Sequence, residues 1–219
     1  GSAKSVTLGS LALANNSGNA SNYSLSSATL DIEKRPLNIS STRAYDATTS
    51  ISSSNITFGN LIGSETINKS GAISTSSTNV GSYSTGNINT GSLTLSDGSG
   101  GGVASNYTLT GGTHSAAITK KPLGSSGTRV YDGTATASSS SLSLTGLVGS
   151  ETLTLSGSGT VPNASVQSGK SVSLGTIAIS DSTGSSSNYS LTGSFTMDIT
   201  ARPITASGTR VYDGSTTVS

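Results

Sequence analysis

Residues 172–179 read Val-Ser-Leu-Gly-Thr-Ile-Ala-Ile. Val172 and Leu174 flank a serine, and Ile177 and Ile179 flank an alanine, the period-two pattern of a strand with one buried face. Between the two pairs, at Gly175-Thr176, the parity of the apolar positions changes. The same change occurs at Gly9-Ser10, between Val6-Leu8 and Leu11-Leu13, and at Gly91-Ser92, between Ile88-Thr90 and Leu93-Leu95. An extra residue inserted as a bulge lets a strand change parity with its apolar face still inward, and glycine suits the left-handed position of such a bulge. The sequence therefore predicts a bulge or sharp bend at Gly9, Gly91 and Gly175. Two short strands joined by a turn are the alternative.

Other segments follow the same rule. Ile56 and Phe58 match Leu142 and Leu144, and Ile67 matches Leu153. Ala28, Leu30 and Ile32 lead into Pro36 as Phe195, Met197 and Ile199 lead into Pro203. No segment carries an apolar period of 3.6. Ser and Thr make up more than a third of the 219 residues, and with Gly and Asn they are poor helix formers. The expected fold is all-β. Small β-sandwich modules of Greek-key or Ig-like type, strung in an extended array, are preferred over β-grasp-like modules because no helix is apparent.

The chain repeats itself at intervals of just over eighty residues, too long for a solenoid turn and suited to a small domain. Pro36, Pro122 and Pro203 each open a segment that continues through an Arg-x-Tyr-Asp unit: Arg43, Tyr45 and Asp46; Arg129, Tyr131, Asp132 and Gly133; Arg210, Tyr212, Asp213 and Gly214. Asn22-Tyr23, Asn106-Tyr107 and Asn188-Tyr189 each follow a Ser/Gly-rich turn, and Gly63-Ser64-Glu65-Thr66 matches Gly149-Ser150-Glu151-Thr152. The chain divides into the C-terminal part of one repeat (1–35), two complete repeats (36–121 and 122–202) and the start of a further one (203–219). It reads as a piece of a longer array with short, stiff junctions.

Composition excludes several functions. Charged residues are 10% and Lys+Arg 11 against Asp+Glu 10 leaves a net charge of +1, so no basic field draws nucleic acid or anionic lipid. Without cysteine there is no disulfide, thiol chemistry or Cys-ligated metal. No apolar run approaches the length of a membrane span. His114 is the sole histidine and has no counterpart in the other repeats. The glycine-rich run 98–102 lacks the helix and lysine of a phosphate loop. No catalytic, metal or cofactor site is expected, and the protein reads as not an enzyme.

These landmarks, a Lys/Arg-Pro-Leu/Ile opening, Tyr-Asp-Gly before a Thr/Ala strand and a late Asn-Tyr-Thr/Ser-Leu strand, resemble the YDG repeats and the related MBG repeats. Ala47 departs from the pattern, standing where the other copies have Gly133 and Gly214. Such repeats occur in tandem in very large bacterial surface and secreted proteins, including filamentous-haemagglutinin-like and biofilm-matrix adhesins. The resemblance implies a stalk or matrix role outside the cell, in cell adhesion or biofilm, and carries over no catalytic residue.

Three constellations invite a chemical reading. The Tyr-Asp-Gly units suit either a glycan contact or a packed tyrosine beside an Asp-Gly turn, with the arginine paired to a carboxylate or carbonyl; turn chemistry favours the second. The Asn-Tyr pairs suggest a tyrosine whose hydroxyl bonds nearby backbone. Lys69 stands where the other repeat has Leu155. It is expected either to form an amide with an asparagine, helped by an acid such as Glu65, or to snorkel to water. Asn-x-Ser/Thr triplets, among them Asn38, Asn106, Asn163 and Asn188, arise readily by chance in this composition.

The expected function is that of a stiff spacer: the structural stalk of a secreted or surface-bound bacterial adhesin or matrix fibre. Its partners are neighbouring repeats, other copies in a fibre, or extracellular polysaccharide. Weak multivalent polysaccharide binding is one alternative. A filament subunit that completes its terminal half-repeats by strand exchange is the other.

Overall fold

Alternation becomes extended chain throughout: strands hold 40% of the residues and helices 8%, the latter as single-turn 3-10 segments among the described residues. The structure, a computed structural model, describes residues 1–216, so residues 217–219 of the last partial repeat lie outside the described residues. The protein is all-β. Contacts divide it into two units, Gly1–Thr119 and Lys120–Ser219.

In the first unit the main strands are β1 (Asn38–Ala44), β2 (Ser50–Ser52), β3 (Ile56–Gly59), β4 (Ile67–Ser70), β5 (Ala72–Thr75), β6 (Gly81–Ser84), β7 (Ile88–Asn89), β8 (Thr94–Asp97) and β9 (His114–Thr119). In the second they are β10 (Gly124–Val130), β11 (Thr136–Ser138), β12 (Leu142–Thr145), β13 (Leu153–Ser156), β14 (Ser158–Thr160), β15 (Gln167–Ser171), β16 (Ala178–Asp181) and β17 (Phe195–Thr200).

Each unit is built on a four-stranded sheet, ordered β3-β1-β9-β6 in the first and β12-β10-β17-β15 in the second. The middle pair is the first and the last strand of the module, and it is parallel. Ile39 to Ala44 face His114 to Thr119 in register, and Ser125 to Val130 face Phe195 to Thr200. The outer strands pair antiparallel. An antiparallel Greek key contains no such central pair, so the sheet departs from the expected sandwich order. Alternation reports which face of a strand is buried; it says nothing about the direction of the neighbour. A parallel pair needs a long crossover, and here all the intervening strands supply it.

The remaining strands form short ribbons, β7-β5-β2 and β8-β4 in the first unit, β11-β14 and β13-β16 in the second. Two of the buried cores join residues of the ribbons with residues of the main sheet. One gathers Ile39, Ile51, Ile56, Ile73, Leu93 and Ala116; the other includes Ala137, Leu142, Val161, Val172, Ile177, Phe195, Met197 and Ile199. Each aliphatic side chain fully withdrawn from water stabilises its module by about 2 kcal/mol. The central pair shows how the cores stay filled. Ile39 lies opposite His114, whereas buried Ser125 lies opposite Phe195, so a larger aromatic faces the smaller residue. His114 is a satisfied core residue. Its Nδ1 accepts from Ile39 N–H (3.3 Å) and its Nε2 lies 3.0 Å from the Leu109 carbonyl.

Where a bulge or sharp bend is expected, at Gly9, Gly91 and Gly175, the chain makes a turn between two short strands, the alternative reading. Each is a two-residue turn, closed by Leu11 N to Leu8 O (2.9 Å), Leu93 N to Thr90 O (3.0 Å) and Ile177 N to Leu174 O (2.8 Å). The chain leaves one ribbon and enters another: β7 pairs with β5 and β8 with β4, while Ser173 bridges Thr160 and β16 pairs with β13. The opposite strand bends at the same level through Gly71 and Gly157, with φ of +85° and +84°. A Cβ there would stand 2.1 Å from the carbonyl oxygen of Ser92 or Thr176. A register shift does occur in the second unit, between Gln167 and Lys170 of β15.

Replacing Gly157 with alanine combines left-handed strain with a backbone clash and should lower stability by about 2–4 kcal/mol. Gly149 (φ +54°) has open space around it, so Gly149→Ala should cost only about 1 kcal/mol. Urea denaturation of both variants measures the difference; equal losses would remove the corner from this account.

Candidate functional site

The sequence motifs fold into two recurring devices, one at the end of the first strand and one at the opening of the Asn-Tyr strand. The first is an arginine clip. At the end of β1 the Arg43 guanidinium donates to Asp46 Oδ1, to the Thr48 carbonyl and to the Ala44 carbonyl (3.1 Å). Asp46 Oδ1 also accepts from Thr48 N–H (2.9 Å) and Thr48 Oγ1 (2.8 Å), an Asx turn that fixes the chain after the strand. Arg129 repeats this with Asp132 Oδ1 and the Thr134 carbonyl, and Thr134 N–H returns a 2.9 Å bond. Arg210 does so with Asp213 Oδ2 (2.9 Å) and the Ser215 carbonyl. That third clip forms where the chain belongs to no strand, so the device is local. The residue after the aspartate is left-handed in all three copies: Ala47 at φ +62°, Gly133 at +82° and Gly214 at +78°. Ala47 thus adopts the conformation for which the other copies use glycine.

The clip tunes its carboxylates. Burial pushes Asp46 upward, but the Thr48 N–H and hydroxyl and the Arg43 guanidinium outweigh it and hold the group below the usual aspartate value. Asp132 is held low chiefly by the Thr134 N–H, then by its hydroxyl and by Arg129. The tyrosines of the motif stand in three environments: Tyr45 is 5% exposed, Tyr131 40% and Tyr212 90%.

The second device is a tyrosine pin. Tyr107 Oη accepts from Ile62 N–H (3.2 Å) and donates to the Glu65 carboxylate. Tyr189 Oη accepts from Val148 N–H (3.1 Å) and donates to Glu151. Each glutamate closes its own turn, bonding back to the Ile62 or Val148 carbonyl at 3.0 Å. The hydrogen bond to Glu65 leads the effects that raise the Tyr107 hydroxyl above its ordinary value. The tyrosines follow 3-10 turns, Ala104–Asn106 and Ser186–Asn188. These are seeded by Asp97 Oδ1 on Ala104 N–H (2.8 Å) and Asp181 Oδ1 on Ser186 N–H (2.7 Å). The Ser186 hydroxyl first, then its N–H, keeps Asp181 low. In the partial repeat, Asn15 Oδ1 takes the place of those aspartates, yet Tyr23 is 71% exposed. Asn22 and Asn106 are exposed and Asn188 is buried.

Sequence reasoning missed the glutamates as tyrosine partners and missed Lys170. Lys170 is buried on β15 and its Nζ donates to the Asn163 carbonyl (2.9 Å), the Asn163 side chain and Ser165 Oγ (3.3 Å). On the equivalent strand of the first unit, β6, Tyr83 reaches back to the Asn79 carbonyl at 2.6 Å. Different chemistry ties down the same loop. Lys69 lies half-buried, its Nζ 5.2 Å from the centre of the Phe58 ring, while Glu65 is engaged by Tyr107. Among the described residues no group of three or more His, Cys, Asp or Glu is placed to hold a metal. What these groups do is hold strand ends and turns in place.

A YDG domain is detected at residues 115–197, which match the model of that family. The match runs from within β9 to within β17. Neither the curated proteins nor the solved structures contain a match to the chain.

Because Asp46 and Asp132 are held below the value they have in the unfolded chain, the clips contribute stability in full above about pH 4 and lose it as pH falls through the folded-state values. Stability on acidification should therefore drop more steeply in the native protein than in an Asp46→Asn/Asp132→Asn double variant. Parallel pH profiles in equilibrium unfolding would show that the clips add nothing.

Proposed function

We propose that this chain is a spacer segment in the stalk of a secreted or surface-bound bacterial adhesin or matrix fibre, transmitting tension through tandem β-grasp-like modules. One observation carries the reading: in each module the first and last strands lie side by side, parallel, over a six-residue register. A chain pulled along its length loads the start of the first strand and the end of the last. In a parallel pair these points sit at opposite ends of the ladder. The force then shears the hydrogen bonds together rather than opening them one at a time. A module wired this way suits an element whose work is to stay closed under load.

The rest of the molecule supports the same reading. The arginine clip lies where the first strand leaves the sheet, and the tyrosine pin ties the last third of each module to a distant turn. Both modules carry the arginine clip and the tyrosine pin, although Tyr83 and Lys170 tie down corresponding loops by different chemistry. The YDG match at residues 115–197 accords with the resemblance from which the extracellular reading is drawn. Polysaccharide binding through the Tyr-Asp-Gly unit would use free aspartate oxygens and open tyrosine faces. Asp46 and Asp132 are occupied by Arg and Thr partners and Tyr45 is buried, so the mechanical reading is preferred.

Single-molecule pulling at the chain ends tests it. Each module is expected to give one high-force event, and Thr196→Pro, which removes an N–H on the side of β17 that faces β10, should weaken that of the second module. Extension at uniformly low force, or a Thr196→Pro trace equal to the native one, would contradict the proposal.

A further inference from the structure

The buried ammonium of Lys170 has acceptors but no counter-ion. Its Nζ donates to the Asn163 carbonyl (2.9 Å), to Asn163 Oδ1 and to Ser165 Oγ (3.3 Å). Among the described residues no carboxylate pairs with it. Asp198, on the neighbouring strand β17, accepts from Gly169 N–H instead (2.6 Å). A charge withdrawn from water without an opposite charge beside it is costly. It also draws electrons from the carbonyl that it touches.

Asn163 Oδ1 accepts three donors at once: Ser165 N–H (3.2 Å), the Ser165 hydroxyl and the Lys170 ammonium. Donors converging on a carbonyl oxygen stabilise the negative charge that develops there when a nucleophile adds to the carbon. A nucleophile is built into the chain. The backbone nitrogen of Ala164 closes a five-membered ring when it bonds to Asn163 Cγ, and the attack is intramolecular. Among the described residues the Ala164 N–H donates to no acceptor, and Asn163 is exposed, so water reaches its amide. Residues 19–21 provide a comparison within the same chain. They repeat the Asn-Ala-Ser triplet and its turn, with Asn19 Oδ1 accepting from Ser21 N–H (3.2 Å) and the Ser21 hydroxyl (2.9 Å). There the third donor is missing among the described residues, and the Ala20 N–H is taken by Asn15 Oδ1.

We infer that Asn163 is a self-modification site, at which the folded chain converts its own asparagine to aspartate. Ala164 N attacks Asn163 Cγ, and the oxyanion forms on Oδ1 beneath its three donors. The N–Cγ bond is made and the Cγ–Nδ2 bond breaks. Nδ2 leaves as ammonia, taking the proton of Ala164 N. Water then opens the cyclic imide, adding its hydroxyl to the carbonyl carbon and its proton to the nitrogen. The carboxylate that results stands where the amide stood, against Lys170. The buried ammonium thereby gains the counter-ion that it lacks. An ion pair then closes the loop behind β15 in place of a neutral acceptor, so the module tightens as it ages. The inference rests on residues of the second module and stands apart from the mechanical role, since an unmodified module could still resist force.

Peptide mass spectrometry of the full chain during storage at neutral pH tests it. In urea both Asn-Ala-Ser triplets lose their folded surroundings and should react at similar rates. In the folded chain Asn163 should exchange its amide for an acid at least as fast as in urea, while Asn19 falls behind its own urea rate. Lys170→Met removes the cation and Ser165→Ala the hydroxyl donor. Each should slow Asn163 by about tenfold or more; circular dichroism verifies the native strand content, and the pair of variants keeps the test open if one fails to fold. Asn163→Asp, which makes the product directly, should unfold at higher urea concentration than the native chain. An Asn163 that stays intact in the folded chain overturns the inference. A native rate in the folded variants, or a lower urea midpoint for Asn163→Asp, overturns it too. So does permanent loss of ammonia without uptake of water, the mark of an amide between Lys170 and Asn163.

Discussion

Each module is closed by a parallel ladder between its first and last strands, and the rest of the fold depends on that contact. A parallel pair cannot be joined by a hairpin. Everything between β1 and β9, or between β10 and β17, must therefore leave the sheet, make the ribbons and return on the far side. Residues far apart in sequence meet at the centre, so closing the sheet costs more chain entropy than a meander of hairpins would. The buried face of the central pair offsets that cost, through Ile39 and Ala116 in one module and Phe195, Met197 and Ile199 in the other.

A chain so rich in serine and threonine has few large side chains with which to hold such a fold. It compensates at the edges. The arginine clip, the tyrosine pin and the aspartate-seeded 3-10 turns each satisfy several backbone or buried polar groups at once, and each fixes the point where a strand begins or ends. Lys170 and Tyr83 do the same for the loops behind β15 and β6. The glycines at 71 and 157 let two backbones cross at contact distance where the ribbons bend. Small residues thus serve this architecture: the sheets approach closely and side-chain hydrogen bonds replace part of the missing apolar bulk.

Part of this was legible in the residues. Alternation located the strands, and the Arg-x-x-Asp spacing with a following threonine or serine held enough turn chemistry to imply an arginine-to-carboxylate pairing. Parity at Gly91 and Gly175 marked the right places but left bulge and turn open, because a bulge and a two-residue turn between sheets shift the alternation alike; the turn is what forms. The direction of the central pair was invisible, since a strand reads the same beside a parallel or an antiparallel neighbour. Glu65 and Glu151 stood out as a repeated turn, and Glu65 as an acid near Lys69; their tyrosine partners lie about forty residues on, beyond the reach of local pattern. The contrast between Ile39 beside His114 and Ser125 beside Phe195 likewise takes meaning only once the two strands are adjacent.

If the parallel ladder closes each module, its amides should be the last to open. Native-state hydrogen exchange resolved by residue tests this directly. The account predicts that the amides bonded between β1 and β9, and between β10 and β17, exchange most slowly in their modules and respond together to denaturant. Ladder amides that exchange sooner than those of the β4-β8 and β13-β16 ribbons would contradict it.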